Sequence, residues 1–364
     1  MITRKLTCRN AVLLATAVAI VVATLVAPSG AFPGKNGRIA FIFSPTGLGN
    51  VYSMKDDGSD VRQLTNFGSN TTANSESWSP DGRQLVFDLF PPGGAPGQLW
   101  LMNADGSDQH QILKNPHYGE YIPSFAPDGK TLVFSRGPAT GSKGGGIYRV
   151  QTDGTGLTAI TISPPDVVDF APVYSPDGRE IAFVSISRGG VLIAVYLMNA
   201  DGSDIRELTP SWIGGDCPSW SPDGEKIAFS SNGCVGDHSV GFVLNEELWV
   251  INRNGTGLTR LTHTNGDWHG YLNSPHDTVP SWSPQGNAIT FARLSPSLAS
   301  SAIYVINPDG SGLRQVLTIP GLPPGSAERS ARGGNAGPRQ TLMQRPRRIE
   351  MGGSDPQWGA APPK

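Results

Sequence analysis

The sequence predicts an all-β protein: a six-bladed β-propeller of four-stranded antiparallel blades, closed by pairing of the C-terminal strand with the N-terminal blade. Three observations carry this. First, an aromatic, a tight-turn signal and an apolar triplet recur together, as in Trp220-Ser-Pro-Asp-Gly-Glu-Lys-Ile-Ala-Phe, with further copies starting at Trp78, Phe125, Tyr174 and Trp282. Second, a phrase such as Met198-Asn-Ala-Asp-Gly falls between them six times, its glycines at 58, 106, 154, 202, 255 and 310. A self-similar period of about 40 to 50 residues marks a stacked or radial array whose units cannot bury their own faces alone. Third, the two ends of the chain carry complementary parts of one repeat. The chain after residue 37 starts at an apolar strand, Arg38-Ile-Ala-Phe-Ile-Phe, with no aromatic phrase before it, while Pro356-Gln-Trp358 near the other end has the aromatic spacing and no apolar strand after it.

Residues 1–31 read as a secretory signal. Arg4, Lys5 and Arg9 precede an apolar run from Ala11 to Ala27, and Pro28-Ser-Gly-Ala31 supplies the small residues expected at a cleavage point. Cleavage is expected after Ala31. The alternative is an N-terminal membrane anchor, for which about 17 apolar residues stand at the short limit of a span. Cys8 precedes the apolar run, so the position of a lipid-modified mature N-terminal cysteine is empty. Loss of the three cationic residues moves the formal net charge from −2 to −5. An exported, mildly acidic chain without a membrane span after cleavage is a poor nucleic-acid binder.

Residues 32–321 together with 351–364 are expected to form a single propeller domain. Each repeat reads as four antiparallel strands of about four to six residues. The first carries the aromatic and enters the second through Ser-Pro-Asp-Gly, in which Pro presets φ and Gly accepts a conformation that other residues resist. A variable loop leads to the third strand, and Asn-x-Asp-Gly turns the chain into the fourth, as in Ile205-Arg-Glu-Leu-Thr. Residues 322–350 are too long for a blade connection. Arg329, Arg332, Arg339, Arg345, Arg347 and Arg348 stand there among Gly, Pro and Ser, so a flexible Arg-rich insert is expected before the closing strand.

These residues carry a family resemblance. Pro-x-Trp-Ser-Pro-Asp-Gly, Ile-Ala-Phe, Tyr-x-Met-Asn-x-Asp-Gly-Ser and Leu-Thr resemble the repeat of the TolB-like six-bladed β-propellers, a WD40-like propeller repeat, over nearly all of residues 37–358. TolB itself carries an additional N-terminal α/β domain that contacts its Tol-system partners, and this chain runs from the signal segment to the first strand without room for one. The propeller also resembles that of the prolyl oligopeptidase family, but the hydrolase domain and its Gly-x-Ser-x-Gly elbow are not found.

Antiparallel order places the two kinds of tight turn on one face and the irregular loops on the other. Binding residues concentrate on irregular loops held by a rigid scaffold, so the functional surface is expected on the loop face and at the channel mouth. Glu120, Asp169 and Asp277 stand five residues before their repeat aromatic; Asn74 and Asp216 are one residue nearer and Asp355 two nearer. Around a ring they could gather at the mouth and hold a divalent cation or a basic segment, or each could satisfy its own loop. Four histidines, His238, His263, His269 and His276, fall in one sector beside Asp267, Trp268 and Tyr271. Of these, His263, His269, His276 and Asp267 are the metal-ligand candidates, although their spacing matches no compact metal motif. Cys217 and Cys234 form the disulfide candidate of an exported chain; the other reading is two free thiols too far apart in register. No resident cofactor is expected. The expected function is an exported monomeric scaffold, extracellular or periplasmic, that binds a protein, a peptide, a cell-envelope component or a glycan. Two alternatives stand beside it: a propeller hydrolase or lyase using a His/Asp site in residues 232–277, and a TolB-like role in envelope assembly.

Overall fold

The turns explain why the repeats fold as they do. In Trp220-Ser-Pro-Asp-Gly the Gly224 amide donates to the Ser221 carbonyl at 2.9 Å. The Ser221 hydroxyl donates to Asp223 Oδ1 at 2.5 Å and accepts from the Lys226 amide at 2.9 Å. The aspartate is therefore spent on its own turn. The second phrase closes in the same way: the Ser203 amide donates to Asp201 Oδ1 and Asn199 Nδ2 donates to Ser203 Oγ, both at 2.9 Å. These bonds hold the exposed Asp201 carboxyl below the usual carboxylate range, its hydrogen bonds to Ser203 being the main cause.

A computed structural model describes residues 32–43, 49–68, 71–139, 145–190, 193–231, 246–264, 275–295, 300–320 and 357–360. Within them lie six four-stranded antiparallel sheets, each ordered from the axis outward. The innermost strands are Gln357–Ala360 in blade 1, then Thr72–Trp78, Tyr118–Phe125, Val168–Tyr174, Asp216–Trp220 and His276–Trp282 in blades 2 to 6. The second strands are Asn36–Phe43, Gln84–Phe90, Thr131–Pro138, Glu180–Ile186, Lys226–Ser230 and Ile289–Leu294. No helix among the described residues is long and apolar enough to cross a membrane.

The outermost strands depart from expectation. Five of them are two-residue ladders, such as Arg206–Glu207, instead of segments of four to six residues; only Arg314–Pro320 is long. In four of the five, an apolar-Thr pair just after the ladder supplies the reason; the fifth, His110–Gln111, is as short without one. The Leu208 amide still donates to the Val195 carbonyl at 2.9 Å, but the Val195 amide donates to Thr209 Oγ1 at 3.0 Å. A side-chain hydroxyl thus replaces a ladder bond, and Thr65, Thr161 and Thr262 do the same in their blades.

The core consists of wedges between neighbouring blades, because each sheet is radial and both its faces are covered. Blades 4 and 5 share one built on Val173, Leu197, Trp220, Ile227, Phe229 and Ile251, and blades 6 and 1 share another built on Ile39, Phe41, Met54, Ile303, Val305 and Trp358. The turn glycines permit this approach. Gly154 has φ +83°, and a Cβ there would lie 2.6 Å from the carbonyl oxygen of Ile112 in the preceding blade.

Each described innermost strand of blades 2 to 6 breaks register three residues before its aromatic. The residues at the break, Ser75, Ile122, Ala171, Cys217 and Val279, have φ from 46° to 60°. These are β-bulges, which bend a strand and increase its twist. Left-handed backbone is costly for Ile and Val, so the ring imposes it. A freed amide is captured across the interface where Ala171 N–H donates to Ser135 Oγ of the preceding blade at 3.0 Å.

The ring closes as the chain ends suggest. Trp358 lies opposite Ile39, Gln357 opposite Ala40, and Trp358 N–H donates to Ser281 Oγ of blade 6 at 3.2 Å. The equivalent Trp282 N–H donates to Ser219 Oγ at 3.1 Å, so the closing strand uses the same stitch as a continuous one. Trp358→Ala is expected to destabilise the fold by about 3–5 kcal/mol, the usual cost of truncating a buried aromatic. Deleting residues 354–364 should lower the Tm further; an unchanged Tm in calorimetry would contradict closure by one strand from one end and three from the other.

Candidate functional site

At the loop-face end of the ring the innermost strands begin, and here the chain repeats one arrangement of acid, arginine and aromatic. In blade 6 Asp277 is fully buried and grips Arg293 through two bonds, Oδ1 to Nε at 2.6 Å and Oδ2 to Nη2 at 2.7 Å. The Arg293 guanidinium lies 4.7 Å from the Tyr304 ring centroid and 5.6 Å from that of Phe291. In blade 4 Asp169 accepts from Arg188 Nη2 at 2.5 Å, Ser185 Oγ at 2.6 Å and Ser163 Oγ at 3.0 Å. Arg188 lies 5.9 Å from Phe183 and from Tyr196. In blade 3 Glu120 meets Arg136 at 3.2 Å, and Arg136 sits 4.2 Å from Tyr118. A guanidinium held on an aromatic face gains a cation–π term and loses conformational freedom.

Blade 5 reaches the same end by another route. Glu247, just before the third strand, Leu248–Asn252, accepts from Arg260 at 2.9 Å, from Thr262 Oγ1 at 2.5 Å and from both the amide and the hydroxyl of Thr264. Arg260 lies 6.0 Å from Trp249. The Asp277 amide donates to the Glu246 carbonyl at 3.0 Å, which couples this network to the Asp277 pair of blade 6.

Burial raises the carboxyl pKa of Glu120 and of Asp277, and in each the paired arginine opposes it. Desolvation pushes Glu120 up to about 7 against the attraction of Arg136, and it raises Asp277 against Arg293. Blade 2 differs. Asp88, opposite Asn74, is fully buried and has no arginine among the described residues; burial pushes its carboxyl up to about 8. The Ile122 amide of blade 3 and the Ser75 hydroxyl face it without closing a hydrogen bond of normal geometry. Asp88 occupies the place that Ser135 holds one blade later.

Glu120, Asp169 and Asp277 therefore stand where the spacing puts them, at the entry to the innermost strands, but as neutralised pairs between blades. They form no open ring of carboxylates. Asp216 is buried and accepts from the next amide, Cys217 N–H, at 2.7 Å; Asn74 is buried beside Asp88. His263 is exposed, whereas His276 is fully enclosed opposite Leu294. Among the described residues no three His, Cys, Asp or Glu groups converge to hold a metal. Asp355, His238, Asp267, Trp268, His269, Tyr271 and Cys234 lie outside the described residues, as do residues 1–31 and 322–350; Cys217 is buried in a bulge against Val279. The arginines escaped the sequence reading, although Phe134-Ser-Arg136 and Phe291-Ala-Arg293 offered a signal. Both place an arginine two residues after the repeat phenylalanine, opposite the acid in antiparallel register.

The same face exposes apolar side chains. Ile162 (71%) and Val168 (53%) flank the connection from blade 3 to blade 4, and Trp212 (51%) lies on the connection from blade 4 to blade 5. The turn face exposes Val61, Leu157, Ile205 and Leu313 less fully, at 36–48%, and is tied between blades: Glu180 binds Arg206 at 2.6 Å and Arg253 of the next blade at 2.5 Å.

Comparison with known proteins agrees with the ring. No family model matches the chain. The Protein TolB homolog of Chlorobium chlorochromatii is 34% identical over 149 residues, 41% of this chain and 31% of that protein, so the chain spans about a third of the length of the curated relatives it matches. The crystal structure of TolB from Acinetobacter baumannii superposes with a TM-score of 0.64 at 19% identity, over 91% of this chain and 68% of that one. That of oligogalacturonate lyase from Vibrio parahaemolyticus gives 0.50 at 17% identity, over 73% of each chain. At these identities the structural likeness is one of fold.

Two outcomes follow from the charges. Arg293→Ala leaves Asp277 buried without its cation and is expected to cost about 3–5 kcal/mol, whereas Asp277→Asn combined with Arg293→Met should cost clearly less; a double-mutant cycle by urea unfolding measures both. Asp88 should also tilt the pH dependence of stability. Its folded pKa of about 8 lies above the value of about 3.9 expected when unfolded, so the folded state holds a proton that the unfolded state has lost. Its contribution is complete below about pH 4 and declines as pH rises to about 8. Asp88→Asn should stabilise the protein more at pH 8 than at pH 5.

Proposed function

We propose that this chain, a TolB-like six-bladed β-propeller, is an exported scaffold that binds a protein or peptide segment, or a glycan, of the cell envelope through its loop face. The observation that carries this is the asymmetry of the two faces. The turn face uses its polar groups on its own turns and on ties between blades. The loop face presents partly exposed arginines fixed on aromatic rings, next to Ile162, Val168 and Trp212. Arginines held in place, with apolar and aromatic contacts beside them, suit a partner that offers both carboxylate or carbonyl groups and apolar surface.

The TolB resemblance supports a partner in the cell envelope, and the signal-like residues 1–31 agree with export to the periplasm or beyond. An envelope-assembly role like that of TolB is the narrower form of the same reading. The lyase alternative draws on the His-rich segment and on the fold shared with oligogalacturonate lyase, but enclosed His276 and exposed His263 have different surroundings. The scaffold reading is the stronger one.

The test is cross-linking capture from an envelope fraction with four proteins: wild type, Trp212→Ala, Ile162→Asp, and Leu157→Asp as a turn-face control. A fifth protein carries Gly/Ser in place of residues 265–274, leaving Thr264, His276 and Asp277 in place. The loop-face changes should reduce specific capture by about tenfold, as expected for loss of a central contact, while Leu157→Asp captures as wild type. Equal capture by all five would remove the loop face as the binding surface.

A further inference from the structure

Among the described residues, five turns join first to second strands for six blades, because the innermost strand of blade 1 is Gln357–Ala360. On the turn face these turns form a rosette around the axis. In blades 3 to 6 the turn glycine lies against the proline of the preceding blade's turn: Gly129 on Pro80, Gly178 on Pro127, Gly224 on Pro176 and Gly286 on Pro222. Residues 32–36 complete the circle. Gly34 N–H donates to the Pro284 carbonyl at 3.2 Å, the Gln285 amide donates to Asn36 Oδ1 at 3.1 Å, and Asn36 Nδ2 donates to Asn287 Oδ1 at 3.4 Å. The first described stretch is thus pinned to blade 6.

Phe32 nevertheless belongs to the far side. It is 7% exposed and joins the cluster that blades 2 and 3 build around Val86 and Phe125. Blade 6 and the boundary of blades 2 and 3 lie nearly opposite one another in the ring. Two residues extend by no more than about 7 Å, too little to pass round blades 1 and 2. The short path runs over the axis.

We propose that residues 32–36 plug the turn-face end of the central channel, with Phe32 as the stopper, and that the channel is open to ligands only from the loop face. A segment entering the channel would stop at Phe32, so the channel suits a chain end or a short loop and not a strand threaded through. The plug stands or falls independently of what the loop face binds.

Hydrogen exchange on the exported chain tests it, comparing wild type, Phe32→Ala, Phe32→Leu and Asn36→Ala. Phe32→Ala should accelerate exchange by about tenfold or more in the turn peptides 78–82, 125–129, 174–178, 220–224 and 282–286, as expected for loss of local protection. The effect must include blades 4 and 5, which contribute nothing to the cluster that holds Phe32, and must spare the loop-face peptides 118–121 and 276–278. Phe32→Leu should restore protection. Asn36→Ala, which keeps Phe32 but removes both side-chain bonds to the blade 6 turn, should show the same pattern at smaller amplitude and decides the question if Phe32→Ala does not fold. Acceleration confined to blades 2 and 3 would reduce Phe32 to a packing residue, and unchanged exchange in the turn peptides would equally overturn the plug.

Discussion

The innermost strands of blades 2 to 6 all bend around the axis at a bulge three residues before the repeat aromatic. Ile122 and Val279 take a left-handed backbone there that their β-branched side chains resist, and the blade interfaces bear that cost. Because the bulge interrupts the ladder, it also releases amides that a neighbouring blade must satisfy, as Ser135 does for Ala171. The strain and its compensation lie in different blades. No blade is therefore an independent unit, and closure through Trp358 is a condition for the rest.

The bulges also decide what happens to charge at the loop-face mouth. Carboxylates at the strand entries are carried between blades, where a lone charge would be costly, and blades 3, 4 and 6 answer with an arginine from the same blade laid on an aromatic ring. Arg188 and Arg293 stay partly exposed with their direction fixed, while Arg136 is itself buried. The electrostatic character of the mouth is then that of ordered pairs. Asp88 shows the other solution, a buried carboxyl that keeps its proton, at a place where the next blade uses a serine.

Much of the fold was legible in the residues themselves. Turn chemistry is local: Ser, Pro, Asp and Gly at fixed offsets are enough to write the hairpins, and counting their copies was enough to write the number of blades. The missing first strand at one end and the unpaired Pro356-Gln-Trp358 at the other made closure readable as well. The length of the outermost strands was not legible, since a threonine hydroxyl substituting for a ladder bond is invisible to a pattern of apolar residues.

The sequence by itself determined the fold class, the ring order and the face on which variation gathers, because these follow from periodicity and from interactions within a few residues. Only the tertiary structure decided what Glu120, Asp169 and Asp277 do, because their partners Arg136, Arg188 and Arg293 are 16 to 19 residues away in the chain and meet them through cross-strand register and loop geometry. It also decided the course of Phe32. A hydrophobic residue ahead of the first strand gives no local sign of its destination, and contact between opposite sides of a ring exists only once the ring has closed.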